Sequence, residues 1–176
     1  LRLSRVEQDA TNVSLAPVDL NGMCKDFTSL RTPLAEQKRL TLSFSPHPDL
    51  PRVMGDSSMV TQVLSILLTN AINYTQPEGE VRIRSHPSDE AHPDMVGFSV
   101  TDNGPGISEE EQAQIFERFY RGQAAVDSNV SGTGLGLPIA QEIIQRHHGR
   151  IEVFSSGVKG EGTTFTVWLP IAPQGA

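Results

Sequence analysis

The sequence predicts a single α/β domain, on three observations. Apolar residues recur at helical spacing after Asp19, after Asp56 and after Gly136. Short alternating or β-rich runs stand at about 40–44, 81–83, 95–102, 151–154 and 164–169. Clusters of Gly, Pro, Asn and Ser separate the two kinds of segment. With 176 residues, 37% of them hydrophobic, the chain is long enough for one well-buried core and too short for a second domain.

Taken in order, Leu3, Val6 and Ala10 predict a helix over 1–13, read as the tail of a helix whose beginning has been cut away. Asp19 caps a second helix over about 20–38, in which Met23, Phe27, Leu30 and Leu34 form a stripe and Pro33 introduces a bend. Leu40, Leu42 and Phe44 alternate as a strand, 45–51 is a proline-dense connector, and 52–54 is a brief strand. Asp56 caps the next helix, whose core stripe is Val60, Val63, Leu64, Leu67, Leu68 and Ala71. On its neighbouring edge helical geometry gathers Asn70, Asn73 and Tyr74.

A strand at 81–83 and a polar hairpin loop at 85–94 follow, with His86 and His92 expected at the surface. The strand at 95–102 stops at Asp102-Asn103-Gly104-Pro105-Gly106-Ile107, because Pro105 cannot continue a ladder and Asn103 and Gly104 favour turns. Ser108 and Glu111 form a capping box for a helix reaching Ile115. Phe116 and Phe119 are expected in the core, and 122–132, with only Val126 and Val130 to bury, is expected to be mobile. His147 and His148 cap the end of the helix that begins at Gly136. The last two strands pair across 157–162, and Pro170 closes the sheet.

Composition excludes several functions. A net charge of -7 argues against a non-specific nucleic-acid or anionic-membrane surface. The single cysteine, Cys24, closes no intrachain disulfide, which agrees with a reducing cytoplasmic setting. No zinc-type Cys/His spacing and no transmembrane run occur, and direct membrane contact is not expected. The chain starts at Leu1 rather than Met, so a longer parent, itself soluble or membrane-anchored, is expected.

Two stretches carry chemistry. Asp102 sits at a strand end beside glycines, where a carboxylate that only accepts hydrogen bonds meets a backbone open to a flat ligand. Gly132-Thr133-Gly134-Leu135-Gly136-Leu137 opens a helix, and unpaired N–H groups there suit phosphate, with Pro138 in the first turn where its missing N–H costs nothing. Each has an ordinary reading by itself, a surface turn and a flexible loop. No Gly-Lys-Ser/Thr follows and no strand leads in, so neither a P-loop nor a Rossmann site fits.

The Asn70 helix, the 102–107 turn, Phe116-x-x-Phe119, the glycine loop at 132–136 and Gly160-Glu161-Gly162-Thr163-Thr164-Phe165 stand in one order and spacing. In this the chain resembles, from about 17 to 170, the catalytic ATP-binding domain of bacterial sensor histidine kinases, within the superfamily shared with gyrase, heat-shock 90 and mismatch-repair ATPases. The resemblance implies a Bergerat-type two-layer α/β sandwich, a mixed, mostly antiparallel sheet covered on one face by helices. It implies that ATP and Mg2+ bind, with Asn70 on the metal, Tyr74 stacked near adenine and Asp102 accepting from the adenine amine. Gly104, Gly106 and Ile107 would shape the base pocket, with Thr163 in support. Gly132, Gly134 and Gly136 would present N–H groups to the phosphates, flanked by Thr133, Leu135 and Leu137, while 122–132 forms a lid; Asn73 and Phe119 also fall among the implied nucleotide-binding residues.

The implied division is 1–14 as the end of a dimerisation helix, 15–173 as the catalytic domain and 174–176 as a disordered tail. The γ-phosphoryl would go to a histidine on a dimerisation and phosphotransfer domain outside this chain, then to a response regulator receiver domain, with the isolated chain monomeric. Leu30-Arg31-Thr32-Pro33-Leu34 matches the run that follows the phosphorylated histidine in this family, but no histidine precedes it and the match is read as coincidence. Ile66 stands where the family often has a second asparagine and Asn73 where it often has lysine, which leaves Arg121 as the candidate cation. Two other readings stay open: a degenerate nucleotide-binding regulatory module, supported by Ile66 and Asn73, and a gyrase-type ATPase clamp, disfavoured because Ile66 cannot activate water as a glutamate would.

Overall fold

The computed structural model describes residues 12–175. Its main layer is a five-stranded mixed sheet of β2 (Thr41–Ser45), β4 (Glu80–His86), β5 (Met95–Asp102), β7 (Thr163–Pro170) and β6 (Arg150–Phe154), in that spatial order. Only β2 and β4 run parallel; the other pairs are antiparallel. A separate ribbon joins β1 (Ala16–Val18) to β3 (Val53–Gly55), and a bridge from Val53 to Ile171 ties it to the end of β7. The strand at 16–18 is not foreseen from sequence, because it is three residues long and centred on Pro17. Proline is tolerated there since nothing pairs on its far side.

Three helices, α1 (Leu20–Gln37), α2 (Ser57–Tyr74) and α5 (Gly136–Arg146), cover one face of the sheet. Their starts follow local rules: the Asp19 carboxylate accepts from Gly22 N–H at 3.1 Å and that of Asp56 from Met59 N–H at 3.1 Å. Beneath them Val81, Ile83, Val96, Phe98, Val100, Val167 and Leu169 meet Val60, Val63, Leu64, Leu67 and Leu68 in the core. The opposite face presents Arg82, Arg84, Thr164 and Thr166, the alternation expected of a half-solvated sheet. The helix expected over 1–13 lies outside the described residues apart from Asn12 and Val13, which are not helical.

Several expectations are corrected. The helix after Ser108 is a single turn, α3 (Glu109–Gln112), although both capping-box bonds form. The 122–132 segment contains α4 (Gln123–Asp127), which buries Ala125 while Val126 stays 60% exposed. Phe116 meets Phe165 edge to face at 6.3 Å, but Phe119 is 72% exposed. Its backbone turns left-handed, with φ of 66°, to donate its N–H to the Gly134 carbonyl, which aims the ring outward. His147 does more than cap α5. Fully buried, it accepts from Asp56 N–H at 2.9 Å on Nε2 and donates from Nδ1 to Ile143 O at 2.7 Å, so it joins the end of α5 to the start of α2.

The histidines of the 85–94 loop are also not free on the surface. His86 lies half-buried 2.7 Å from Ser99 Oγ. His92 is buried, stacked on Trp168 at 4.1 Å, with Nδ1 2.9 Å from Asp89 and Nε2 2.8 Å from Glu152. Sequence spacing conceals this because Glu152 and Trp168 lie on other strands. Burial alone would lower the pKa of His92, but hydrogen bonds and charge from Glu152 and Asp89 outweigh it and raise the pKa above 6.5. A histidine whose folded pKa exceeds its unfolded value stabilises the fold fully below about 6.5 and loses that contribution as pH rises through the folded value. The melting-temperature gap between the wild type and His92→Gln is therefore expected to be widest near pH ~6 and to narrow toward pH ~9. A gap independent of pH would contradict this ion-pair assignment.

Candidate functional site

At one end of the sheet a cleft of about 320 Å³ opens between α2, the ends of β5 and β7, the 105–107 turn and the segment from Tyr120 to Pro138. Its floor is apolar, made by Leu67, Ala71, Val100, Ile115 and Phe165. The size and lining suit a mostly flat small molecule with a few oriented polar groups. Asn70, Asn73 and Tyr74 line it along α2, with Asp102, Gly106, Ile107 and Thr163 at one end. Gly132, Thr133, Gly134, Gly136, Leu137 and Arg121 line the other parts. Gly104, Phe119 and Leu135 are outside the lining.

The Asp102 corner is built from backbone. Its Oδ1 accepts from Gly104 N–H at 2.9 Å, and the N–H of Thr163, its ladder partner across β5 and β7, donates to the same carboxylate. Burial pushes the Asp102 pKa up, and the two N–H groups pull it partly back. Two side chains brace the turn from behind. Ser155 Oγ donates to Gly162 O at 2.7 Å and accepts from Ile107 N–H at 2.9 Å; Gln112 Nε2 donates to the carbonyls of Ile107 and Ser155 at 3.0 and 2.9 Å. Neither residue carries a sequence signal, since both act through contacts distant along the chain.

α2 spans the length of the site. Its last carbonyl, that of Tyr74, lies beside Gly104, while Ile66, two turns earlier, lies against Gly136. Asn70 and Asn73 thus stand between an end with one acceptor and an end rich in donors. The donor end is the start of α5, which has no side-chain cap, so its first N–H groups are available to an anion. Gly134, with φ of 71°, lies so close to Phe119 that an added Cβ would be 2.7 Å from its carbonyl carbon.

Arg121 is engaged with the segment that covers the site. Its Nη2 donates to the carbonyls of Val130 and of Ala125, the latter at 3.4 Å. Burial raises the Tyr74 pKa, and the nearby Arg121 charge opposes the rise. Glu111 lines the cleft and ties its edges together, accepting from Gln123 N–H at 2.6 Å and Ser108 N–H at 3.1 Å. From sequence Glu111 is visible only as half of a capping box; its reach to Gln123 depends on the fold. Tyr120 and Ala125 are further lining residues without a sequence signal of their own, and Pro105, read from sequence only as a strand breaker, lines the cleft as well.

Gly162 is the tightest point of the corner. Its φ is 71°, and an added Cβ would lie 1.7 Å from the Asp102 carbonyl oxygen. Gly162→Ala is expected to cost about 2–4 kcal/mol, measured by denaturant unfolding, because both the backbone conformation and the close approach are forbidden to alanine. A variant as stable as the wild type would show that the corner relaxes freely.

The family model for the histidine kinase-, DNA gyrase B-, and HSP90-like ATPase matches residues 55–173, which include every lining residue of the cleft. The adaptive-response sensory kinase SasA of Synechocystis sp. is 36% identical over 156 residues, 88% of this chain and 39% of that protein. The sensor histidine kinase RppB of Synechocystis sp. is 37% identical over 171 residues, 97% of this chain and 36% of that protein. The chain therefore spans well under half the length of these curated relatives. Among solved structures, full-length ShkA in complex with AMPPNP superposes with a TM-score of 0.79 at 31% identity, over 94% of this chain and 33% of that one. By the match over most of its length, the chain belongs to the histidine kinase-, DNA gyrase B-, and HSP90-like ATPase family.

Proposed function

We propose that this chain is the ATP-binding catalytic unit of a sensor histidine kinase, which holds MgATP and transfers its γ-phosphoryl group to a histidine on a dimerisation domain. The observation that carries this reading is the polarity of the cleft. An acceptor-only carboxylate at the end of a glycine-backed slot faces one way, and an uncapped helix start behind Gly132, Gly134 and Gly136 faces the other. Adenine needs the first and a polyphosphate the second. The sensor kinases among the relatives support the same reading, as does the AMPPNP held by ShkA.

In this account Asp102 accepts from the exocyclic amine of adenine, with Gly104 and Thr163 fixing the carboxylate through their N–H groups. Ile107 and Tyr74 border the base, and Gly106 keeps the turn clear of it. The N–H groups of the 132–136 loop and of the first turn of α5 receive the phosphates, beside Thr133 and Leu137. Asn70 is the residue that would hold Mg2+. An ion held largely by phosphate oxygens and water needs few protein ligands, and Asn70 lines the cleft between its two ends. When bound, that ion would neutralise phosphate charge and orient the transferred group.

Ile66 supports transfer over hydrolysis. It packs where the phosphate end of α2 meets Gly136, and its side chain offers no base to activate water. Arg121 would then have to leave the Val130 and Ala125 carbonyls to face developing charge. The acceptor histidine, the dimerisation domain and the response regulator receiver domain are expected partners outside this chain. Among the described residues no helix is long and apolar enough to cross a membrane. A cytoplasmic location belongs to the proposed reading, since the reaction would draw on cytoplasmic ATP. Ile66 and Asn73 also favour a second reading, a nucleotide-binding regulatory module without transfer.

A dimerisation hairpin bearing the acceptor histidine, supplied with MgATP, separates these readings. Phosphorylation is expected; nucleotide binding without transfer at saturating MgATP would favour the regulatory module, and steady multi-turnover hydrolysis would favour an ATPase. Asp102→Asn is expected to unfold cooperatively near the wild-type temperature yet bind ATP at least about tenfold more weakly, because the amide can turn its NH2 toward the base donor. Calorimetry showing unchanged ATP affinity would refute the assignment of Asp102.

A further inference from the structure

On the reading above, the cleft needs cations, and the chain as a whole is acidic, with a net charge of -7. Arg121, the arginine among the described residues that lines the cleft, donates to backbone carbonyls of the covering segment. A second cation stands at the rim. Lys38, at the C-terminal end of α1, places Nζ 3.0 Å from Oδ1 of Asn73, a residue that lines the cleft. Among the described residues no carboxylate lies within 4.0 Å of this ammonium.

The chemistry of that contact is one-sided. An ammonium can only donate, so the Asn73 atom facing it is the carbonyl oxygen, which leaves the Asn73 NH2 as a donor and two further N–H bonds on Lys38. The pair therefore presents mainly donors and carries a full positive charge, with its one acceptor oxygen turned toward the ammonium. Such an edge suits an anion. Asn73 lies about 4.5 Å along α2 from Asn70 and next to Tyr74, whose carbonyl borders Gly104 at the base end. Hence the edge falls beside the part of a nucleotide that joins base to phosphates, away from the γ position near Gly136.

We propose that Lys38 is a nucleotide-binding residue, delivered by Asn73 to the phosphate nearest the ribose. It supplies charge that the cleft-lining residues themselves leave engaged elsewhere. Contact at the proximal phosphate makes ADP and ATP equal beneficiaries and leaves adenosine indifferent. A side chain acting only to tie α1 to α2 would instead change stability and leave the discrimination between these ligands untouched.

The test is calorimetric titration of the 176-residue chain and of Lys38→Met with adenosine, ADP and ATP at low salt, alongside thermal unfolding. Lys38→Met is expected to weaken ADP and ATP by the same factor, about fivefold, with adenosine affinity unchanged. The loss should shrink as ionic strength rises. In an Asn73→Ala background the same substitution should have at most a small further effect, because the ammonium is no longer delivered. Unchanged ADP affinity overturns the inference, and so does an equal loss for adenosine or a loss confined to ATP. If the wild-type chain binds neither ADP nor ATP, the nucleotide reading itself fails. Wild-type binding with Lys38→Met indistinguishable from it defeats only the role of Lys38.

Discussion

A partly buried carboxylate at the end of a central strand is the constraint around which the site is arranged. Asp102 is desolvated enough that its pKa is raised, and the compensation comes from two backbone N–H groups, those of Gly104 and Thr163. Backbone donors do not rotate away, so the carboxylate keeps one orientation. Holding it there requires that β7 begin directly opposite the end of β5 and that Gly162 pass closer to Asp102 than any side chain permits. Ser155 and Gln112 then fix the turn that follows. A hydrophobic residue at 102 would avoid the desolvation, so the carboxylate costs stability where it stands, as the recognition role proposed for it would require.

The two ends of the cleft differ in how firmly they are built. The Asp102 end rests on a sheet and on hydrogen bonds that link segments dozens of residues apart. The opposite end rests on a helix start without a cap, a glycine loop and a covering segment tied by Arg121 and Glu111. Backbone N–H groups supply most of the donors there, and Ile66 and Asn73 add no charge of their own. On the proposed reading, recognition of the base would be preorganised, whereas the phosphate side would have to rearrange around its ligand, beginning with Arg121. Such an arrangement favours tight holding over fast chemistry.

Features set by neighbours in sequence were legible without coordinates. Asp19, Asp56 and Ser108 cap the helices they precede, and the Asn70 edge of α2 faces the cleft as its spacing requires. The glycines of 157–162 take the positive φ values expected of a tight connection. What stayed hidden depends on contacts between distant segments. His92 looks like a loop residue until Glu152 and Trp168 arrive from β6 and β7. Phe119 looks like core until its backbone bond to Gly134 turns it outward. Ala125 gives a polar loop its one buried anchor, and a single small residue leaves no periodic trace. Lys38 belongs to the same class, since only the packing of α1 on α2 brings it to Asn73.

A cleft that reads adenine at Asp102 and phosphate at the start of α5, as proposed, must answer at both ends to a single ligand. Following backbone amide resonances of the chain while MgADP is added tests this most directly. The amides of Gly104 and Thr163, which hold the Asp102 carboxylate, are expected to shift together with those of Gly132, Gly134 and Gly136, along one binding curve. Shifts confined to the glycine loop, with Gly104 and Thr163 unmoved at saturation, would contradict the proposed reading.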